Sequence, residues 1–169
     1  YIRLPDCEEI LINKANVYAN AWQNLEEFTA PNLTTIAGSN RTFGGYNPTK
    51  LAKFVCPKYV YPISDGMFYL CNELTLVDVK TSQIKGYAFN SCSALQALVL
   101  RSTTMATLEA TNAFENSGIA SGTGYIYVPR DLVSTYESAT NWSTYAGQFR
   151  AIEDYTDDGT LTGKFITPT

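Results

Sequence analysis

Apolar and polar residues alternate in short runs along this chain, and the runs recur. In Glu27-Phe28-Thr29-Ala30 the apolar side chains fall on one face and the polar ones on the other, the period of a half-buried strand. The segment Leu25-x-x-Phe28-x-Ala30 recurs as Leu51-x-x-Phe54-x-Cys56, Leu74-x-x-Val77-x-Val79 and Leu95-x-x-Leu98-x-Leu100, with leading leucines 26, 23 and 21 residues apart. An aromatic landmark precedes each copy: Ala21-Trp22, Phe43, Met67-Phe68 and Ala88-Phe89. Ala113-Phe114 stands in the same way before Tyr125-Ile126-Tyr127-Val128. A proline closes the strand in Leu4-Pro5, Ala30-Pro31, Cys56-Pro57 and Val128-Pro129, where a residue without N–H stops ladder pairing.

A single strand of this kind buries too little to stand alone, so each winding must stack on its neighbours. The pattern therefore predicts an α/β repeat solenoid: a right-handed coil with parallel strands of one to three paired residues per turn, irregular connections and a short helical C-terminal cap. Phe28, Phe54, Val77 and Leu98 are expected to form one inner column, with Phe68, Phe89 and Phe114 filling the coil between strand and return path. Gly44-Gly45, Ser64-Asp65-Gly66 and Ser121-Gly122-Thr123-Gly124 supply turn chemistry.

The explicit linkers Phe68-x-x-Cys71-x-x-Leu74 and Phe89-x-x-Cys92-x-x-Leu95 carry a resemblance. Residues 1–130 resemble the BspA-type leucine-rich repeats, whose units hold an Ala-Phe-x-x-Cys-x-x-Leu core and a short strand ending at proline. Tyr87 through Leu95 is the best copy; the Asn40–Lys50 stretch lacks the cysteine and the Ser102–Gly124 coil is expanded. The resemblance implies a leucine-rich-repeat-like coil and adhesion to components of a host or neighbouring cell, in a bacterium of the gut or mouth or one of its phages.

The ends complete the picture. Tyr1 through Pro5 aligns with Glu27 through Pro31, so the chain opens on a strand and a preceding coil is expected upstream, since a bare edge carrying Ile2 and Leu4 invites association. Residues 131–152 read as the helical cap: Asp131 can cap a first helix bearing Leu132, Val133 and Tyr136, and Asn141 a second bearing Trp142, Tyr145 and Phe149. Ile152 reads as a last short strand, and residues 153–169 as an acidic tail or hairpin.

Composition then removes whole classes of chemistry. The 169 residues include no histidine, which excludes Ser/His/Asp and Cys/His nucleophile pairs. Twelve basic against sixteen acidic residues, net charge -4, speak against a nucleic-acid partner. No apolar run approaches the ~20 residues that span a bilayer, so no membrane insertion is expected. Cys7, Cys56, Cys71 and Cys92 form no Cys-x-x-Cys pair and read as free, mostly buried thiols; neither a metal nor a cofactor is expected. Glu153, Asp154, Asp157 and Asp158 could offer oxygens to calcium, but their spacing fits no EF-hand loop and a solvated linker explains them better. The pairs Glu8-Glu9 and Glu26-Glu27 point to opposite faces of a strand and cannot serve one substrate as paired acid and base. Gly122-Thr123-Gly124 leads into a strand, not a helix, and is a turn, not a phosphate loop. Asn32, Asn40 and Asn141 each begin a glycosylation sequon, a short and frequent pattern.

What remains is surface. Strict alternation turns Arg3, Glu27, Lys53 and Asp78 outward, the first three as an alternating charge ladder on successive strands. Farther along, Val55, Leu76, Ala97, Val99, Tyr125 and Tyr127 would form an exposed, aromatic-ended apolar stripe, unless the cap covers its end. Val55, Leu76, Val99, Tyr125 and Tyr127 are thus the candidate binding residues, with a second candidate surface at the coil edges in Tyr18, Tyr46, Tyr59, Tyr61 and Tyr69. The reading is a non-catalytic extracellular or cell-surface module that recognises a protein or glycan. The rivals are a structural or receptor-contact part of a phage tail, which neighbouring capsid and tail genes would reveal, and an accessory domain of a larger enzyme with its catalytic domain upstream.

Overall fold

The structure, a computed structural model, describes residues 1–11, 22–37, 41–45 and 49–155. Its strands follow one another as β1 (Ile2–Arg3), β2 (Glu9–Leu11), β3 (Glu27–Thr29), β4 (Thr35–Ala37), β5 (Lys53–Cys56) and β6 (Leu76–Val79). They continue as β7 (Gln83–Ile84), β8 (Ala97–Leu100), β9 (Thr107–Leu108), β10 (Tyr125–Val128) and β11 (Phe149–Ala151). One α-helix, α1 (Val133–Ser138), and short 3-10 turns complete the elements.

The seven strands of the repeat form one parallel sheet in the order β1-β3-β5-β6-β8-β10-β11. Registers run coil to coil without a slip: Ile2, Phe28, Phe54, Val77, Leu98, Ile126 and Phe149 occupy one rung line. The central strands pair over four residues, longer than the sequence suggested, because residues such as Cys56 and Val79 still reach a partner before the chain turns away. Ala30, just before Pro31, is the last to donate, to the Val55 carbonyl. Two smaller parallel sheets, β2-β4 and β7-β9, lie along the return path, and the Ile63–Ile84 bridge extends the second.

The aromatic landmarks form a third ladder. Phe43 donates its N–H to Met67, Phe68 to Ala88 and Phe89 to Ala113, so consecutive coils are tied by one backbone bond at each landmark. The rings themselves stack. Phe43, Phe68, Phe89 and Phe114 lie 5.7, 5.2 and 5.4 Å apart at interplanar angles of 9°, 10° and 4°. Trp22 meets the column at one end and Trp142 at the other, at 5.8 and 5.9 Å. Phe28, Phe54, Phe68, Val77, Phe89, Leu98 and Phe114 all belong to one contiguous core cluster. Beside the column, Cys71 donates its S–H to the Phe43 carbonyl and Cys92 to the Phe68 carbonyl, each thiol reaching back one coil. That geometry needs a small weak donor inside an apolar wall, which accounts for the Phe-x-x-Cys spacing.

The four cysteines are free, and three are buried. Burial pushes the Cys71 thiol up to about 12 and raises Cys56 and Cys92 in the same way. Gly118 and Gly124 are required by close approach, since a Cβ there would sit 2.2 or 2.1 Å from the Leu95 carbonyl oxygen. The Gly-Thr-Gly turn thus folds the expanded coil onto its predecessor.

The C-terminal cap works differently from the expected helix caps. α1 starts after Leu132 with no side-chain cap, and so does the turn Trp142–Gln148 after Asn141. Asn141 instead donates to the Leu108 and Glu109 carbonyls. Tyr136 accepts the Ala106 N–H at 2.7 Å, Trp142 donates to the Ala106 carbonyl at 2.8 Å, and Tyr145 donates to Thr111. Cap side chains therefore satisfy backbone groups that a further coil would otherwise pair. The last strand is Phe149–Ala151, not Ile152, because Phe149 takes the rung beside Ile126 and Ile152 turns into a 3-10 segment.

Candidate functional site

Every strand side chain on the outer face of the sheet follows from the registers above. The first outer row is Glu27, Lys53, Leu76, Ala97 and Tyr125; the second is Arg3, Thr29, Val55, Asp78, Val99 and Tyr127. Arg3 therefore stands opposite Thr29, not Glu27, and reaches the Glu27 carboxylate diagonally at 3.6 Å. Arg3, Glu27 and Lys53 do fall on the successive strands β1, β3 and β5 with alternating sign, Arg3 lying one row over.

The exposed apolar stripe is corrected. Val55 and Val99 are 2% and 0% exposed, and Leu76 and Tyr127 are also buried. With partly buried Ala97, Tyr125, Ile152 and Tyr155 they make a second, smaller apolar cluster on the outer face. Tyr155 packs edge-on against Tyr127 at 4.9 Å, and the Arg150 guanidinium lies 4.3 Å above the Tyr125 ring. Burial, and then the neighbouring Tyr155 hydroxyl, raise the Tyr127 phenol above its ordinary range. Asp78 sits within this row, 1% exposed, held by two 2.7 Å bonds from Arg101. A carboxylate so placed needs that partner, since an unpaired buried charge is costly.

Part of the outer face still opens to solvent. Lys53, Leu76, Ala97, Tyr125 and Tyr127 line a groove of about 560 Å³, with Thr75, Gln96 and Thr123 along its rim. Thr75 donates to the Ala52 carbonyl and Thr123 to Gly118; Thr123 also shares a bond with the Ser121 hydroxyl, and each threonine oxygen keeps at least one lone pair to accept. Among the described residues no hydrogen bond or ion pair engages the Lys53 ammonium or the Gln96 amide. Of the candidate residues, Leu76, Tyr125 and Tyr127 thus line a hollow, while Val55 and Val99 are buried within the outer cluster and do not line it. The sequence reading missed Gln96, Thr75 and Thr123. Their signal was faint: a polar residue one position before β6 and β8 and two positions before β10.

The coil-edge tyrosines divide. Tyr59 is buried and Tyr61 is 53% exposed, while the Tyr69 ring carries the Arg41 guanidinium at 4.7 Å. Tyr18 and Tyr46 lie outside the described residues. A second hollow, of about 410 Å³, opens where the cap meets the expanded coil, between Asn112, Glu115, Tyr145 and Gln148.

Other motifs are absorbed into structure. Asn32 donates to the Pro5 carbonyl and accepts from Lys58, and Asn141 is spent on β9, so both sequon amides are engaged; Asn40 lies outside the described residues. Glu153 accepts the Arg130 N–H and Asp154 pairs with the Arg130 guanidinium; Asp157 and Asp158 are outside the described residues. Among the described residues no cluster of three or more metal-ligating side chains occurs, and no helix is long and apolar enough to cross a membrane.

The family model for the BspA type leucine rich repeat region matches residues 13–139 in six copies. The chain belongs to that family. No curated protein and no solved structure matches it. Leucine-rich repeats typically mediate protein binding and are generally non-catalytic. The inner face of the repeat's sheet is core and its outer face carries the groove.

Proposed function

We propose that this BspA-type solenoid is a non-catalytic adhesion module, displayed on a cell surface, that recognises a protein or glycan through the outer-face groove. The groove carries this reading: an apolar floor from Leu76, Ala97 and Tyr125, with the unpaired Lys53 ammonium and Gln96 amide at its border. Apolar floors with a few free polar groups are the usual make-up of ligand sites, and solenoids present such surfaces along their sheets. Proteins with this repeat type are commonly surface-associated, which supports display outside the cell.

Beads coated with the chain test it on a surface of mucin glycoprotein. Ala97→Trp fills the groove without touching the core and should abolish retention of the beads, whereas Lys80→Met, on exposed surface beyond the strand end, should not. Retention by a folded Ala97→Trp variant would refute the groove as the site.

A further inference from the structure

Resting on the groove reading, we infer that its ligand is an acidic oligosaccharide, lying across the strands with a carboxylate or sulfate against Lys53. The groove spans β5, β6, β8 and β10, three strand spacings or about 14 Å, long enough for a short oligosaccharide and wider than a single small anion.

Charge selects the acid. The chain has a net charge of -4, yet no carboxylate lines this hollow. Lys53 lines the groove, and at its Tyr125 end the Arg150 guanidinium lies over the ring while donating to the Gly147 and Phe149 carbonyls. The nearest outer-face carboxylates are already engaged: Glu27 accepts from Thr29 and faces Arg3, and Asp78 is held by Arg101. An anion entering the groove therefore meets the Lys53 ammonium and no carboxylate among the lining residues.

Chemistry along the groove selects a sugar over a peptide. An extended peptide gains most from unpaired strand backbone, and every strand under the groove is paired on both sides. The face offers side chains only. Thr75 and Thr123 present acceptor lone pairs, Gln96 both donates and accepts, and these three rim positions come from successive coils. A polyol backbone supplies donors and acceptors at short regular intervals to match such a row. Its apolar ring faces suit Leu76, Ala97 and the open side of Tyr125.

The test is isothermal titration of the whole chain with a panel of tetrasaccharides: uronate-containing, sialylated and sulfated, with maltotetraose as the neutral control and tetraglutamate as the acidic peptide. At least one acidic saccharide should bind, with affinity falling by roughly tenfold or more in Lys53→Met. Binding should also weaken as salt rises, since the pair is partly exposed. Gln96→Ala should weaken it less, and Lys80→Met should leave it unchanged. Circular dichroism of each variant should match the parent, which separates lost contact from lost fold. Failure of every acidic saccharide to bind at millimolar concentration would overturn the inference, as would equal binding of maltotetraose or tighter binding of tetraglutamate. If mucin capture still depends on Ala97 in that case, the groove reading stands and only the ligand class falls. If neither is seen, both fall.

Discussion

Phe89 sits at the midpoint of the aromatic column, and truncating it tests the whole stacking argument. The side chain is 0% exposed and its ring lies parallel to Phe68 at 5.2 Å and to Phe114 at 5.4 Å. Phe89→Ala removes the ring's transfer free energy and leaves a cavity between two coils that are tied by backbone bonds and cannot close over it, a loss of about 3–5 kcal/mol. Against a total of about 5–15 kcal/mol for a domain, that is a large share. Phe89→Leu keeps most of the volume but gives up both ring contacts, each about 0.5–1.5 kcal/mol, so it should cost about 1–3 kcal/mol. Urea denaturation followed by circular dichroism measures the total. Single-tryptophan variants keeping Trp22 or Trp142 report the two ends of the column. In a solenoid each coil leans on its neighbours, so a weakened centre should let the two tryptophan transitions separate. A loss below about 1 kcal/mol in Phe89→Ala, with coincident transitions, would refute the account of the ring column as the stabilising axis.

Four further outcomes follow from the same geometry. Arg101→Ala strands the buried Asp78 carboxylate and should cost about 3 kcal/mol in urea melts, while Arg101→Leu combined with Asp78→Val should recover most of it. Gly124→Ala drives a methyl into the Leu95 carbonyl and should destabilise by about 2–4 kcal/mol; an unchanged melting temperature would show that the turn can relax. Tyr136→Phe leaves the Ala106 N–H without its acceptor and should cost about 1–2 kcal/mol, seen first as faster amide exchange at Ala106. Above pH 9 the chain should lose stability: the folded thiols titrate higher than the unfolded ones, near 12 for Cys71, so the unfolded chain releases protons first. Each such thiol removes about 1.4 kcal/mol per pH unit between its unfolded and folded values, and equal urea midpoints at pH 8 and pH 10.5 would contradict this.

The repeat itself was legible from residue spacing because the forces that set it are local and iterated. A strand of alternating residues, an aromatic three to eight positions before the leucine and a terminating proline each act within one coil, and stacking multiplies them. That is why Phe28, Phe54, Val77 and Leu98 could be placed in one column, and why Phe68, Phe89 and Phe114 could be read as filling. Alternation also told which residues leave the core face. It could not tell what lies above them: the burial of Val55 and Val99 arises in an outer cluster that includes Tyr155 and Ile152, far away in sequence. The diagonal Arg3–Glu27 contact and the Arg101–Asp78 pair depend on register and rotamer, which no single coil encodes. The cap behaves likewise. Its aromatics announced an ending, but the roles of Tyr136, Asn141 and Trp142 came from the backbone of Ala106 to Glu109 that faced them. Period and inner column are properties of the chain read a coil at a time; cover, groove and closure arise only when distant coils meet, because burial is shared between surfaces that the sequence lists separately.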